Sequence, residues 1–267
     1  MDFDEFLKTI GPDLDLVWRK YRRKSARKKV IQRIHLLGLK GYGDYLAYLR
    51  THPEEAEDIA HTMAVTVSRF FREKTCWEQL ITKILPVLIQ QRTNTRIRIV
   101  SAGCCGGEEP YTMALIWKEY FEKTFPEVTP AILGIDLDDT SLLRASKAIY
   151  HQRSLREVPP ELIRKWCIPE KGNMFRIKSE ITSMVRFAKK TLFNHPLPKD
   201  QDLILCRYCF FTYFKGDRRL QAAQAIGRAL RPGGILMIGQ KDLLSRTEQQ
   251  LFTPWPKTNC FFRKVHS

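Results

Sequence analysis

The residues with the clearest capacity for chemistry lie in Ser101-Ala-Gly-Cys-Cys-Gly-Gly-Glu-Glu-Pro-Tyr111. Arg96–Val100 before this stretch reads as a strand. Thr112–Phe125 after it reads as a helix carrying Met113, Ala114, Ile116, Trp117 and Tyr120. A glycine-rich turn at such a junction lets the backbone pass close to a ligand, because no side chains intervene. Pro110 suits the first helical turn, where its missing N–H is not needed. The pair Glu108–Glu109 narrows the choice of ligand. A helix N-terminus attracts phosphate, but two carboxylates there would repel a pyrophosphate, and no Gly-Lys-Ser/Thr follows to complete a P-loop. S-adenosylmethionine (SAM) carries no phosphate, and its sulfonium and ammonium are cationic. The alternative is a structural turn whose acids merely complement the helix dipole.

Other residues extend this picture. Asp136 closes the strand Ala131–Ile135, where an acid can accept hydrogen bonds from ribose hydroxyls or simply cap a turn. Arg69 and Arg72 flank two aromatics in Thr66–Arg72. Cys206-Arg-Tyr-Cys209 is a single Cys-x-x-Cys, and a structural zinc would need two more ligands. No second pair or histidine cluster supplies them, so two thiols and no metal are expected.

The elements that must position these groups alternate strand and helix in the second half, as in a parallel sheet covered on both faces. Asp202–Cys206, Ile235–Ile238 and Cys260–Val265 read as strands, the last suggesting a hairpin with the segment before it. Thr140–Ala148 and Arg218–Leu230 read as helices, the second stopped by Arg231-Pro-Gly-Gly234. His151–Lys190 breaks the rhythm. Pro159-Pro160 and Gly172-Asn173 mark turns there, and Met174–Ile177 with Met184–Ala188 suggests a small antiparallel insertion. The first part reads as helical throughout: Asp4–Gly11, Trp18–Leu37 as one helix, Asp44–Arg50, Pro53–Val65 and Glu73–Ile89, the last kinked or ended by Pro86. A polar linker near Gln90–Asn94 then gives an expected division into residues 1–90 and 91–267, with the insertion at about 151–190.

Composition sets outer limits. The chain has 267 residues, 43% of them hydrophobic, enough for a sizeable core. No apolar run approaches the ~20 residues that cross a bilayer. Seven cysteines and the acidic start Met-Asp-Phe-Asp-Glu, which lacks a signal-peptide pattern, suggest reduced thiols in a cytoplasm. The net charge of +16 is compatible with nucleic acid, an anionic membrane or an acidic protein as partner. Much of it sits in Trp18–Leu37, with Arg19, Lys20, Arg22, Arg23, Lys24, Arg27, Lys28, Lys29 and Arg33. That run is either a solvated face or a docking face.

Taken in order, the motifs resemble the chemoreceptor glutamate O-methyltransferases of the CheR type. The pieces are Ser68-Arg-Phe-Phe-Arg72, Ser101-Ala-Gly-Cys104 with Gly107-Glu-Glu-Pro-Tyr111, Gly134-Ile-Asp-Leu-Asp138, Asp202-Leu-Ile-Leu-Cys-Arg207, Tyr213-Phe214 and Arg228-Ala-Leu-Arg-Pro-Gly-Gly234. Each is modest alone, but their order and spacing are specific and cover nearly the whole chain. The resemblance implies an α/β fold: a Rossmann-like, SAM-dependent methyltransferase sheet with an N-terminal helical domain and a small inserted β-subdomain. It places Ser68 and Arg72 at the methyl-transfer site, and Glu108 (or Glu109) and Asp136 on SAM, with Asp136 at the ribose. Thr191 and Leu192 stand where the family has an Asn-Leu pair near the adenine. Arg207 and Tyr213 would lie near the reacting methyl, so Arg72, Tyr213 and Arg207 form the expected catalytic set. Ser68, Arg72, Gly103, Tyr208 and Cys209 complete the expected cofactor-binding set.

The departures fall near the acceptor side. Tyr208-Cys-Phe-Phe-Thr-Tyr-Phe214 is one residue longer than the family pattern, so Thr212 competes with Tyr213 for the tyrosine position. The undisturbed spacing to Arg231-Pro-Gly-Gly234 favours Tyr213. Tyr208 and Thr191 replace asparagines, and Gly239-Gln-Lys-Asp242 replaces Gly-His-Ser-Glu. The expected function is SAM-dependent methyl-ester formation on glutamates of an acidic helical protein, such as a chemoreceptor cytoplasmic region. The basic N-terminal run would dock on it. The enzyme is expected to be a cytoplasmic monomer without membrane insertion. Alternatives are another protein carboxylate or a small molecule as acceptor, or a non-catalytic module binding SAM or nucleic acid. The few aromatics interleaved in Trp18–Arg33 speak against nucleic acid.

Overall fold

In the computed structural model, which describes residues 1–63, 68–92, 95–193 and 195–265, helix formation begins with a capping box. Asp2 accepts from the Glu5 N–H, and Glu5 returns the bond to the Asp2 N–H, starting α1 (Phe3–Asp13). The basic run is not one helix. A 3₁₀ turn at Trp18–Tyr21 precedes α2 (Lys24–Leu36). Tyr21 is buried with its ring 5.2 Å from that of Tyr213, and this packing takes the backbone at Arg22–Arg23 out of helical register. Helices α3 (Tyr42–Thr51) and α4 (Pro53–Thr62) follow. Glu55 on α4 accepts hydrogen bonds from Arg33 on α2 and from the Tyr45 hydroxyl on α3, which ties the three together. Residues 64–67, among them Val65, Thr66 and Val67 of the expected helix end and the Thr66–Arg72 run, and Thr93–Asn94 of the expected linker lie outside the described residues.

Helix α5 (Lys74–Gln79) continues through a wider π turn at Leu80–Ile84 into α6 (Leu85–Gln90). Pro86 was expected to kink or end this helix. The wide turn just before it absorbs the missing N–H instead, and the helix runs on to Gln90.

The main sheet has seven strands: β1 (Arg96–Ala102), β2 (Thr129–Asp136), β6 (Val185–Lys189), β7 (Gln201–Leu205), β8 (Leu230–Met237), β9 (Phe252–Pro254) and β10 (Phe261–Lys264). Their order is β6-β2-β1-β7-β8-β10-β9, parallel except where β10 pairs with β8 and β9. A second sheet, β3-β5-β4, comprises β3 (Ile149–His151), β4 (Cys167–Glu170) and β5 (Met174–Ile177). The expected pairing of Met174–Ile177 with Met184–Ala188 is therefore not formed. β5 pairs within the insertion, while β6 adds to the edge of the main sheet beside β2. Phe187 on β6 packs against Tyr111, with ring centroids 5.5 Å apart, so apolar burial draws β6 to the main sheet.

Alternation along the strands splits the core into two layers. Ile97 and Ile99 of β1 face a cluster with Trp77, Met113 and Trp117. Val100 and Ala102 face the other, with Phe6, Leu7, Tyr45 and Ile226. Between the strands run α7 (Glu108–Ile116), α8 (Asp139–Lys147), α9 (Pro160–Trp166), α10 (Ser179–Thr182), α11 (Phe210–Tyr213) and α12 (Gly216–Ala229). From β1 the chain first builds outward through β2 and later returns to place β7 on the other side of β1. That reversal opens a crevice at the carboxyl ends of β1 and β7, the position where open α/β sheets bind ligands. Among the described residues no helix is long and apolar enough to cross a membrane.

Candidate active site

A cavity of about 1150 Å³ occupies this crevice. Its floor is the turn after β1. Gly103 has φ +74°, and a Cβ there would lie 2.6 Å from the Cys209 sulfur, so only glycine fits. The N–H groups of Gly103 and Cys104 both donate to the Ile135 carbonyl at 2.9 Å, which fastens the turn to the end of β2. Asp136 follows directly. Its carboxylate accepts from the Cys105 N–H at 2.8 Å and the Asp138 N–H at 3.0 Å, and it lines the cavity. Burial pushes its carboxyl above the ordinary aspartate value, and those N–H bonds only partly offset the shift.

The acidic pair divides. Successive helical residues point about 100° apart, so the two glutamates of α7 face different surroundings. Glu109 lines the cavity and accepts from the Ser101 hydroxyl at 2.7 Å and from Arg207 at 3.2 Å. Glu108, expected on the cofactor, turns away. It is buried, pairs with Arg144 on α8 at 3.0 Å and is absent from the cavity wall; burial pushes its carboxyl up. Leu192 is likewise buried in the core and does not line the cavity, whereas the neighbouring Thr191 does.

Ser68, Arg72, Arg207, Tyr208, Cys209 and Tyr213 all reach the cavity, although they come from distant parts of the chain. The Phe-Phe pair explains how Arg72 gets there. Phe70 and Phe71 are buried, Phe70 packing edge-on against Tyr150 with ring centroids 4.9 Å apart. The Phe71 N–H donates to the Thr112 hydroxyl at 3.1 Å, anchoring the segment to α7. Phe71 and Glu73 have φ of +52° and +64°, a conformation that costs free energy for non-glycine residues and tends to collect at functional sites.

The two arginines differ in kind. Arg207 is 4% exposed and held through its two terminal nitrogens: it donates to the Arg72 carbonyl at 2.6 Å, Glu73 at 2.9 Å and Glu109 at 3.2 Å, and lies 5.2 Å from the Trp77 ring, while its Nε is buried without a partner among the described residues. Arg72 has no carboxylate partner among the described residues. Its guanidinium lies over the Tyr208 ring, 3.9 Å from the centroid. Tyr208 donates its hydroxyl to Glu73 and its N–H to Asp242 at 2.8 Å. Burial, then the bond to Glu73, pushes its phenol up to about 12. Thr212 donates its hydroxyl to Asp242, while Tyr213 rests against Tyr21. Burial raises the thiol of Cys209 on the wall, so it stays protonated near neutral pH.

Glu73 and Asp242 organise this wall; neither was among the expected site residues, although Asp242 ends the Gly239–Asp242 departure from the family pattern. Glu73 sits beside Arg72, but its partners Arg207 and Tyr208 lie 134 and 135 positions away, and nothing local announces them. Basic side chains outnumber acids in the cavity lining, although Asp58, Asp138 and Asp139 also contribute to it. Lys20, Arg23, Lys29 and Arg33 from the first helical segments line the cavity, together with Arg69 and Lys189. Among the described residues no group of histidine, cysteine and acid side chains could hold a metal ion.

The donor set fits SAM. A glycine-floored turn, an acid at the end of β2 and a second acid, Glu109, on α7 suit a cofactor with a ribose and positive charge.

Comparison with known proteins gives the same direction. Residues 66–261 match the family described as CheR methyltransferase, SAM binding domain. A chemotaxis protein methyltransferase of Borreliella burgdorferi is 30% identical, over 91% of this chain and 88% of its own. Chemotaxis protein methyltransferase 2 of Vibrio cholerae is 28% identical over 92% of this chain and 86% of its own. The corresponding Listeria monocytogenes protein is 28% identical over 99% and 97%.

Proposed function

We propose, on the premise that this chain belongs to the CheR methyltransferase family and is a SAM-dependent protein methyltransferase, that it forms methyl esters on glutamates of an acidic, chemoreceptor-like helical protein. When bound, SAM supplies a methyl group on a sulfonium that is already a good leaving group. A glutamate acceptor is already ionised at pH 7. Neither a general acid nor a general base is needed. The protein's task is alignment and the exclusion of water.

The single observation that carries this reading is the contrast between the two arginines. Arg207 is paired with both Glu73 and Glu109 and serves as a scaffold. Arg72 keeps its in-plane N–H groups clear of carboxylates and can take an acceptor carboxylate in a fixed plane. Asp136 would receive the ribose hydroxyls, and Glu109 would face the positive end of the cofactor. Thr191 and the turn at Gly103 would wall the remainder. Tyr213 would close the acceptor side, where Thr212 is already committed to Asp242. The basic side chains that the first helical segments bring to the cavity would attract an acidic helical surface, an attraction that weakens with salt. We place the enzyme in the cytoplasm, where such acidic receptor regions and the seven free thiols belong.

One observation favours a second acceptor. Tyr208 puts an aromatic ring on the wall where the family pattern has an asparagine, and this changed surface would suit an acceptor other than a receptor glutamate, a carboxylate on another protein or a small molecule.

The test is incubation with methyl-labelled SAM, first with a receptor cytoplasmic fragment and then with cell lysate. Label released as methanol by mild base marks a carboxyl ester. Arg72→Ala should lose transfer by at least about a hundredfold while SAM affinity by calorimetry stays within about twofold. Undiminished transfer by the variant would remove Arg72 from the mechanism. Base-stable label would remove the carboxylate acceptor.

A further inference from the structure

We propose that Glu73 and Tyr208 form a positioning pair that fixes the plane of the Arg72 guanidinium, a role that rests on Arg72 receiving the acceptor carboxylate. Both residues adopt positive φ, Glu73 +64° and Tyr208 +52°, which neither side chain favours. Each is held there by the other. The Tyr208 hydroxyl donates to one oxygen of Glu73. The other oxygen accepts from Arg207 at 2.9 Å and from the Gln240 N–H at 3.1 Å. The Tyr208 N–H donates to Asp242 at 2.8 Å, and the same Asp242 oxygen accepts the Gly239 N–H at 3.0 Å.

The ring itself has no slack on that side. A Cβ on Gly239 would lie 2.7 Å from two of its carbons, so the ring rests directly on the Gly239 backbone. Arg72 lies over the ring at 3.9 Å. A contact of this kind uses the face of the guanidinium and leaves its N–H groups, which lie in the plane, free to point elsewhere. Those are the donors that a carboxylate requires. Donation of the Tyr208 hydroxyl to a carboxylate also enriches the ring in electrons, which strengthens its hold on a cation. The chain of contacts therefore runs from Arg207 through Glu73 and Tyr208 to Arg72, and it ends on the group that meets the acceptor.

The test is a double-mutant cycle read by methyl transfer to a receptor fragment, with SAM affinity measured separately by calorimetry. Tyr208→Ala should raise the acceptor KM about tenfold, with SAM affinity within about twofold. Tyr208→Phe keeps the ring but loses the bond to Glu73, and should recover only part of that loss. Glu73→Gln keeps the shape but not the charge, and should fall between the two. In an Arg72→Ala background, Tyr208→Ala should leave the residual transfer unchanged, because its partner is gone. If the effects of the two substitutions multiply instead, or if Tyr208→Ala weakens SAM and acceptor equally, the pair has no positioning role. A wild-type enzyme that binds SAM yet labels no carboxylate would overturn the acceptor reading and the pair's role with it. An active wild type with multiplying effects would overturn the pair alone.

Discussion

The two ends of β7 carry mirrored charge clusters. At the amino end Asp202, with no exposed surface, is held by Arg92 at 2.7 Å and Arg231 at 2.6 Å, and also accepts the Arg98 N–H at 2.8 Å. Just beyond the carboxyl end, Arg207 is held by Glu73 and Glu109. One buried acid with two arginines closes one end of the sheet. One buried arginine with two acids lines the cavity at the other. Neither Asp202 nor its arginines reach that cavity. A buried ion pair contributes little net stability over an apolar replacement, but removing one partner strands the others. The amino-end cluster therefore reads as a seam joining β1, β7 and β8. The carboxyl-end cluster reads as a frame that holds Glu109 toward the cofactor and Glu73 toward Tyr208. The same electrostatic device serves folding at one end and chemistry at the other.

Arg207→Met tests this most severely. It strands two carboxylates, so stability should fall by about 3–5 kcal/mol. Transfer per folded molecule should also fall by at least about a hundredfold, since displacement of about 1 Å at a reacting site has that effect. Arg207→Lys restores the charge but not the fork, and should recover stability more than turnover. Denaturant melts alongside single-time-point label transfer would read both. Asp202→Asn should rank next. It should cost about 3 kcal/mol, but transfer per folded molecule and SAM affinity should stay within about twofold. If Asp202→Asn lowers turnover beyond its loss of folded protein, the two ends are coupled through β7 and the distinction fails.

These clusters also mark how far the sequence could be read. The turn at Gly103, the acid at Asp136 and the alternation of strand and helix are local patterns, each dictated by backbone geometry within about ten residues, and the structure brings them to one crevice. The Phe70–Phe71 pair, two adjacent aromatics between helices, is buried as such a pair ordinarily is, whereas the arginines flanking it are half-buried against the cavity rather than fully exposed. What was not legible depended on long-range choice. β6 joins β2 rather than β5 because of what Phe187 meets across the sheet. The basic run breaks at Arg22–Arg23 because Tyr21 finds Tyr213, nearly two hundred positions on. Glu108 and Glu109 are indistinguishable as letters, and only the phase of α7 sends one to Arg144 and the other to Arg207. Glu73 carried no local signal, because its meaning lies wholly in partners from the other half of the chain.

The smallest expected effect sharpens the comparison within the carboxyl end itself, where two carboxylates shift in opposite directions. Burial pushes the Asp136 carboxyl up. Burial also acts on Glu73, but hydrogen bonds from Tyr208, Arg207 and the Gln240 N–H outweigh it and hold that carboxyl below the ordinary glutamate value. With a lowered folded-state value, Glu73 contributes stability that is complete above the unfolded value near ~4.3. That contribution is lost only as the pH falls through the lower folded value. Asp136 behaves in the opposite sense. Its folded value is raised, so it takes up a proton before an ordinary aspartate does, and this favours the fold rather than opposing it. What it gives up is the charged acceptor expected to hold the ribose. As the pH falls from 7 to about 4.5, SAM affinity should therefore weaken a few-fold while the Glu73–Arg207 frame and the folded structure persist. Calorimetry with SAM across that range, beside far-ultraviolet circular dichroism at each pH, separates the two titrations. If SAM affinity stays flat until the dichroism signal collapses, the acid at the end of β2 does not control cofactor binding, and the frame around Arg207 must hold the cofactor without it.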